Sequence, residues 1–201
     1  MTAFLYALGG YLAGSIPFAV IVCRILALPD PRTYGSKNIG ATNVLRSGSR
    51  IAALLTLVGD AGKGWVAVIV ARLLGAEDEI IAMVGLAAFL GHVFPVWLRF
   101  RGGKGVATAA GVFLALAPLA FAIALPVWGA CLWLTGYVSL SSIVAALLFP
   151  LWVWLTADGP GPTFWASVVL ALLIVFAHRA NVQRLLAGTE NRFRTRTGAP
   201  A

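Results

Sequence analysis

The stretch VATAAGVFLALAPLAFAIALPVWGACLWLTGYVSLSSIVAALLFPLWVWLT, residues 106–156, decides the architecture of this chain. A hydrocarbon core of ~30 Å is crossed by ~20 helical residues, so these fifty-one residues are too many for one straight span. Ala117-Pro118 and Gly136-Tyr137-Val138-Ser139 are the places where a helix would break, because proline lacks the N–H of the helical ladder and glycine leaves a helix easily. Three short helices follow, of about 17 residues each, at the low end of what spans a bilayer. Such helices call for kinks or a locally thinned membrane.

Outward from this stretch, residues 3–23, 51–73, 80–98 and 163–177 read as four further apolar spans. The expectation is an all-α polytopic membrane protein with seven transmembrane helices, five being the fallback, in a single domain over residues 1–201. Composition agrees: the chain is 60% hydrophobic and 11% charged, with mean hydropathy +0.91, against roughly 25% charge in soluble domains. The opening segment has no Lys or Arg before Arg24. It is also too long for a signal-peptide core, so it reads as a retained first span. Cys23 and Cys131 both lie in apolar segments, which argues for small buried hydrophobes rather than a disulfide framework.

The formal charge is +8, and its distribution points to a membrane face rather than to nucleic acid. Arg24, Arg32, Lys37, Arg46 and Arg50 form one cluster, Arg99, Arg101 and Lys104 a second, and Arg179, Arg184, Arg192, Arg194 and Arg196 a third. Between them the connections are acidic, with Glu77, Asp78 and Glu79 in one and Asp158 in another. Cytoplasmic loops carry the excess of Lys and Arg. The loops near 24–50, 99–105 and 137–142 and the tail 178–201 are therefore expected in the cytoplasm, with the N-terminus outside and the C-terminus inside.

Three polar islands carry the chemistry. The first, GSKNIGATNVLR at 35–46, combines Ser36, Lys37, Asn38, Thr42, Asn43 and Arg46 with two glycines. That composition suits a loop wrapped around a phosphate with its backbone N–H groups turned inward. The second, RGGKGVAT at 101–108, opens a helix: Gly102, Gly103 and Gly105 let the backbone approach an anion, Lys104 adds a point charge, and Thr108 follows. Lys104 and Lys63 are each followed by Gly, so neither belongs to a nucleotide-binding Walker loop. The third, HRANVQRL at 178–185, places His178 and Asn181 on one helical face beside Arg184. Ser139, Ser141 and Ser142 join the same face through the turn at 137–142. Anchoring to anionic head groups is the plainer use of basic turns, but the density of Asn, Ser and Thr beside the cations favours a phosphate site.

Inside the second span, Asp60 and Lys63 stand three residues apart in GDAGKG. An isolated charge at such depth costs at least ~2.5 to 3.5 kcal/mol, and the spacing lets the two neutralise each other. They read as a structural ion pair, with a direct catalytic role as the alternative. His92, in GHVFP, reads as structural. Two histidines and no carboxylate cluster argue against a metal, and no cofactor is expected.

GSIP at 14–17, GSKNIGATN at 35–43, GHVFPV at 91–96, GGKGVAT at 102–108 and HRANVQRL at 178–185, in order along the whole chain, resemble the acyl-phosphate-dependent glycerol-3-phosphate acyltransferases, the PlsY family. The resemblance implies a multi-pass enzyme of the bacterial inner membrane whose active site faces the cytoplasm. It implies transfer of a fatty acyl group from acyl phosphate to the sn-1 hydroxyl of glycerol 3-phosphate, giving lysophosphatidic acid and phosphate, the first acylation of phospholipid synthesis. It also implies essential roles for Ser36, Arg46, His178 and Asn181, glycerol-phosphate binding at Gly102 to Gly105 with Lys104, and a structural role for Glu190. Lys37 departs from the family's commonest pattern, in which Gly often stands at this position.

The chemistry fits the residues independently. Both substrates bring phosphate and one brings a long chain, which calls for cationic loops at the mouth of an apolar bundle. The His-x-x-x-x-Asp pair of other glycerolipid acyltransferases is absent, since Trp97 follows His92 by five residues and Gln183 follows His178. Direct attack of the glycerol hydroxyl on an already activated acyl phosphate is the expected mechanism, with an acyl-Ser36 intermediate as its rival. A transporter of a phosphorylated metabolite is the alternative function, motivated by basic Gly-rich loops and broken helices. A metal-dependent lipid phosphotransferase would need clustered Asp, whereas Asp30, Asp60, Asp78 and Asp158 are scattered.

Overall fold

A computed structural model describes residues 1–157 and 159–193. Asp158, Arg194 and Arg196, counted above in an acidic turn and in the basic tail, lie outside the described residues, as does the rest of 194–201. Every regular element among the described residues is helical: α1 (Thr2–Gly14), α2 (Phe18–Ile25), α3 (Ala41–Val44), α4 (Arg50–Leu73), α5 (Asp78–Val93), α6 (Val106–Leu116), α7 (Pro118–Thr135), α8 (Val138–Thr156), α9 (Pro162–Ala177) and α10 (Arg179–Leu186).

Five segments are long and apolar enough to cross a membrane: Thr2–Ile25, Arg50–Leu73, Asp78–Leu98, Pro118–Thr135 and Val138–Thr156. The pair Pro162–Ala177 and Arg179–Leu186, bent by 58° at His178, makes a sixth if taken as one unit. α6 has only 11 residues, ~16 Å at 1.5 Å per residue, so by length alone it does not reach across. The breaks in 106–156 fall at Ala117 and at Gly136-Tyr137. Pro118 opens α7, and Gly136, at φ 74°, closes it in a left-handed cap.

The first span expected over 3–23 is present as Thr2–Ile25, and it divides at Ser15-Ile16-Pro17 into α1 and α2. Pro17 has no N–H to continue the ladder, and Ser15 Oγ donates back to Tyr11 O at 2.8 Å. The Ile16 carbonyl, released from the helix, accepts from Lys63 Nζ at 2.7 Å. The Ile16 oxygen, which also accepts Phe18 N at 3.2 Å, thereby gains a donor from another helix.

Small residues let the helices approach closely. Gly14 lies on the Ala88 backbone and Gly91 on Tyr11, joining α1 to α5, while Gly111 lies on Ala61 and Gly64 on Thr108, joining α4 to α6. A side chain at any of the four would overlap its neighbour, the packing logic of membrane helices. The core between them is formed by Val68, Val84, Phe89, Val112, Phe149, Val153 and Leu170. Leu54, Leu73, Trp133, Leu134, Leu155 and Leu172 face outward and exposed, an apolar coat that suits lipid rather than water.

The two ends of the bundle differ. Asp78 and Glu79, in the first turn of α5, line shallow cavities together with Gly159 to Pro162, where the chain enters α9. At another turn, between α7 and α8, the tail returns: Phe193 N donates to Gly136 O at 2.7 Å and Arg192 Nε to Tyr137 Oη at 3.1 Å.

Candidate active site

The first island folds around one amide. Asn43, 2% exposed, donates from Nδ2 to Pro31 O at 2.7 Å and Asn38 O at 2.9 Å, and its Oδ1 accepts Ser36 N at 2.9 Å. Asn38 Oδ1 in turn accepts Gly40 N at 2.9 Å. These bonds close residues 31–43 into a fixed loop with Ser36 and Thr42 exposed on its rim. Arg46 reaches back over the loop, so that a Cβ on Gly35 would stand 3.0 Å from its Cδ and 3.4 Å from its Nη1. Lys37 adopts φ 55°. An L-residue pays roughly 1–2 kcal/mol in that left-handed region, a cost that a glycine at this place would not carry.

The second island lies on the end of α5. Gly102 N donates to Val93 O and Gly103 N to His92 O, both at 3.1 Å. Gly105, at φ 76°, caps α6 with the Phe89 ring against it. Lys104 is half-buried and has no ion-pair partner among the described residues. Burial pushes its ammonium down to about 8; Glu190 opposes that shift, while Arg184 and Arg46 add to it.

The third island turns at His178, where α9 gives way to α10. His178 Nδ1 lies 2.8 Å from Ile174 O. Since a carbonyl can only accept, Nδ1 carries the proton and Nε2 keeps its lone pair. Burial holds this imidazole down at about 4, with the nearby Lys104 charge acting in the same direction, so it is neutral near pH 7. Glu190 gathers the surrounding donors: Ser139 Oγ at 2.7 Å and Asn181 Nδ2 at 2.5 Å on Oε1, and Arg184 Nε at 2.7 Å on Oε2. Burial works to raise the Glu190 carboxyl, but the hydrogen bonds from Asn181, Ser139 and Arg184 outweigh it and hold the group below its usual range. The carboxylate ties α8, α10 and the tail together, and Asn181 Oδ1 is buried without a partner among the described residues.

The islands therefore converge. Lys104 of the second feels the charges of Arg46 from the first, of Arg184 from the third and of Glu190 just after it, and His178 feels Lys104 and Glu190. Three residues expected to touch a ligand are instead turned into the fold. Asn43 spends its amide on loop backbone. Ser142 Oγ donates to Val138 O at 2.8 Å and accepts Trp128 Nε1 at 3.2 Å. Thr108 is fully buried against Gly64. Asp60 and Lys63 form an ion pair of 2.8 Å with both side chains 2% exposed. Sequence reasoning missed that His92 joins them, its Nδ1 3.4 Å from Asp60 Oδ1. The sequence offered only GHVFP as a signal for it.

The sequence profile of the glycerol-3-phosphate acyltransferase family matches residues 4–188. The chain belongs to this acyltransferase family. Among its relatives, the glycerol-3-phosphate acyltransferase of Burkholderia lata is 52% identical over 203 residues, covering 100% of this chain and 95% of that protein. That of Burkholderia orbicola is 51% identical over 204 residues, with 100% and 98% covered. The crystal structure of PlsY, an integral membrane glycerol 3-phosphate acyltransferase, in its glycerol 3-phosphate form superposes with a TM-score of 0.90 at 36% identity, over 97% of each chain. Its lysophosphatidic acid form gives 0.88, also at 36% identity and 97% of each chain. The resemblance carried by the five motifs is thus family membership, and the helical membrane fold is that of an acyltransferase already solved.

Proposed function

We propose that this chain transfers a fatty acyl group from acyl phosphate to the sn-1 hydroxyl of glycerol 3-phosphate, releasing phosphate and lysophosphatidic acid. The observation that carries the reading is membership of the glycerol-3-phosphate acyltransferase family over residues 4–188, together with the likeness to PlsY in its glycerol 3-phosphate and lysophosphatidic acid forms; the charges of Arg46, Arg184 and Glu190 acting on Lys104 agree with it. In the same reading the chain crosses a bacterial inner membrane seven times, α6 serving as a short crossing in a locally thinned bilayer. The N-terminus lies outside, and the islands and tail lie in the cytoplasm. Family membership favours acyl transfer over the transporter alternative.

Acyl phosphate is a mixed anhydride and needs little activation. The glycerol oxygen attacks the acyl carbonyl, the new ester C–O bond forms, and the bond from carbonyl carbon to phosphate oxygen breaks with its electron pair leaving on phosphate. Lys104 and Arg46 screen the phosphates, and the exposed Ser36 hydroxyl donates toward developing charge. Asn181 holds Glu190 with one Nδ2 hydrogen, and its Oδ1, without a partner among the described residues, accepts from the substrate hydroxyl. The hydroxyl proton goes to the departing phosphate. A phosphomonoester has a second pKa of about 6, a better acceptor than an imidazole held at about 4.

The test is phosphate release by the purified chain given palmitoyl phosphate with and without glycerol 3-phosphate, with lipid products analysed alongside. The reading expects release that depends on glycerol 3-phosphate and matches lysophosphatidic acid. Turnover with acyl-CoA alone would overturn the donor, and no acyl transfer at all would overturn the function.

A further inference from the structure

We propose that His92 is a positioning residue for the glycerol 3-phosphate site: its ring, braced from the middle of α4 by the Asp60–Lys63 pair, supports Gly103 from beneath and sets the height of the loop that presents Lys104. The proposal rests on the reading of Gly102 to Gly105 as the glycerol 3-phosphate loop.

Six contacts carry it. Gly102 N and Gly103 N donate to the Val93 and His92 carbonyls at 3.1 Å, which seats the loop on the last turn of α5. A Cβ on Gly103 would overlap His92 Nε2, and its other two nearest atoms, at 3.0 and 3.1 Å, belong to the same ring. The opposite ring edge faces α4, with Nδ1 3.4 Å from Asp60 Oδ1. Asp60 Oδ1 lies 2.8 Å from Lys63 Nζ, and Lys63 Nζ donates to Ile16 O at 2.7 Å in the break of the first segment. The chain of contact runs from Ile16 through Lys63, Asp60 and His92 to Gly103, one residue from Lys104. His92, Asp60 and Lys63 are all buried, at 3%, 2% and 6% exposure.

Each link has a physical purpose. Nδ1 lies 3.4 Å from the Asp60 carboxylate without a formed hydrogen bond among the described residues, so Asp60 limits where the ring can sit by close packing and charge. A rigid ring beneath a glycine then fixes the loop in a way that a flexible side chain would not. Misplacing a positioned group by ~1 Å can cost ~10²-fold in rate or binding, so a small change in ring height is measurable at the phosphate.

The experiment is steady-state kinetics of the full chain, varying glycerol 3-phosphate and palmitoyl phosphate separately, for Gly103→Ala, His92→Asn, His92→Gln and His92→Ala with Gly103→Ala. Gly103→Ala, pushing its methyl into the ring, is expected to raise KM for glycerol 3-phosphate about tenfold or more, with kcat within about threefold and KM for palmitoyl phosphate unchanged. His92→Ala in that background removes the obstruction and is expected to recover at least about threefold. His92→Asn keeps a nitrogen toward Asp60 but loses the edge under Gly103, and is expected to raise the same KM by about three- to tenfold. His92→Gln, closer in volume, supplies the comparison should the smaller side chain impair folding. A wild-type chain active with glycerol 3-phosphate, together with His92 variants whose KM is unchanged or a double variant that shows no recovery, overturns this inference alone. A wild-type chain without glycerol 3-phosphate-dependent turnover overturns both it and the functional reading beneath it.

Discussion

The tripeptide Gly-Lys-Gly occurs twice, at 62–64 and at 103–105, and its two lysines have opposite fates. Lys63 lies inside α4, its side chain 2% exposed, 2.8 Å from Asp60 and bonded to a backbone carbonyl. Lys104 lies in a loop, half-buried, with no ion-pair partner among the described residues and an ammonium pushed down to about 8. A paired and bonded cation is part of the fold. A cation that has lost water and gained no partner is poised for an anion, because a bound phosphate would restore what burial removed. The glycines follow the same division: Gly64 makes room for the α4–α6 contact, and Gly103 and Gly105 make room for a loop on α5.

Removing either lysine tests that division. Lys63→Met leaves Asp60 buried and uncompensated, a loss of about 3–5 kcal/mol in stability. Denaturation in a fixed detergent would read it, and a smaller loss would put Lys63 outside the structural role. Lys104→Ala should leave stability close to wild type and reduce turnover more than tenfold, over ~1.4 kcal/mol of lost stabilisation; near-normal turnover would remove Lys104 from the site. The smallest effect concerns Lys37. Replacing it by glycine relieves the left-handed strain but adds freedom to the unfolded chain, for a net gain of up to about 1 kcal/mol. A rise in KM for glycerol 3-phosphate in that variant would assign the extra cation to phosphate binding as well.

What was legible in the sequence was what punctuation and charge announce. Pro118 and Gly136 end helices by backbone chemistry alone, and the basic islands stand out against apolar spans. The Asp60–Lys63 pair follows from their spacing on one helix. Pairings between distant segments were not legible: Asp60 and His92 lie on different helices, and their approach depends on how α4 and α5 pack. Asn43 looked like a ligand because amides often are, yet its hydrogen bonds go to three segments of its own loop. The break at Ser15-Ile16-Pro17 was present as GSIP, but an uninterrupted apolar composition hid it, and only the Lys63 bond to Ile16 shows what the break is for. The short length of α6 was likewise hidden, since hydropathy does not mark where a helix begins after Gly105.

The most direct test of Lys104 as a cation of the site without an ion-pair partner among the described residues is the pH dependence of kcat/KM for glycerol 3-phosphate, which reports ionisations of the free enzyme and free substrate. The substrate phosphate, with a second pKa of about 6, is constant above pH 7. In the wild type the charged ammonium binds and the neutral amine does not, so kcat/KM should be level near pH 7 and fall about tenfold per unit beyond about pH 8. Lys104→Arg, always protonated in this range, should abolish that fall even if its absolute rate is lower. A wild-type profile level to pH 10, or the same alkaline fall in the arginine variant, would contradict the account.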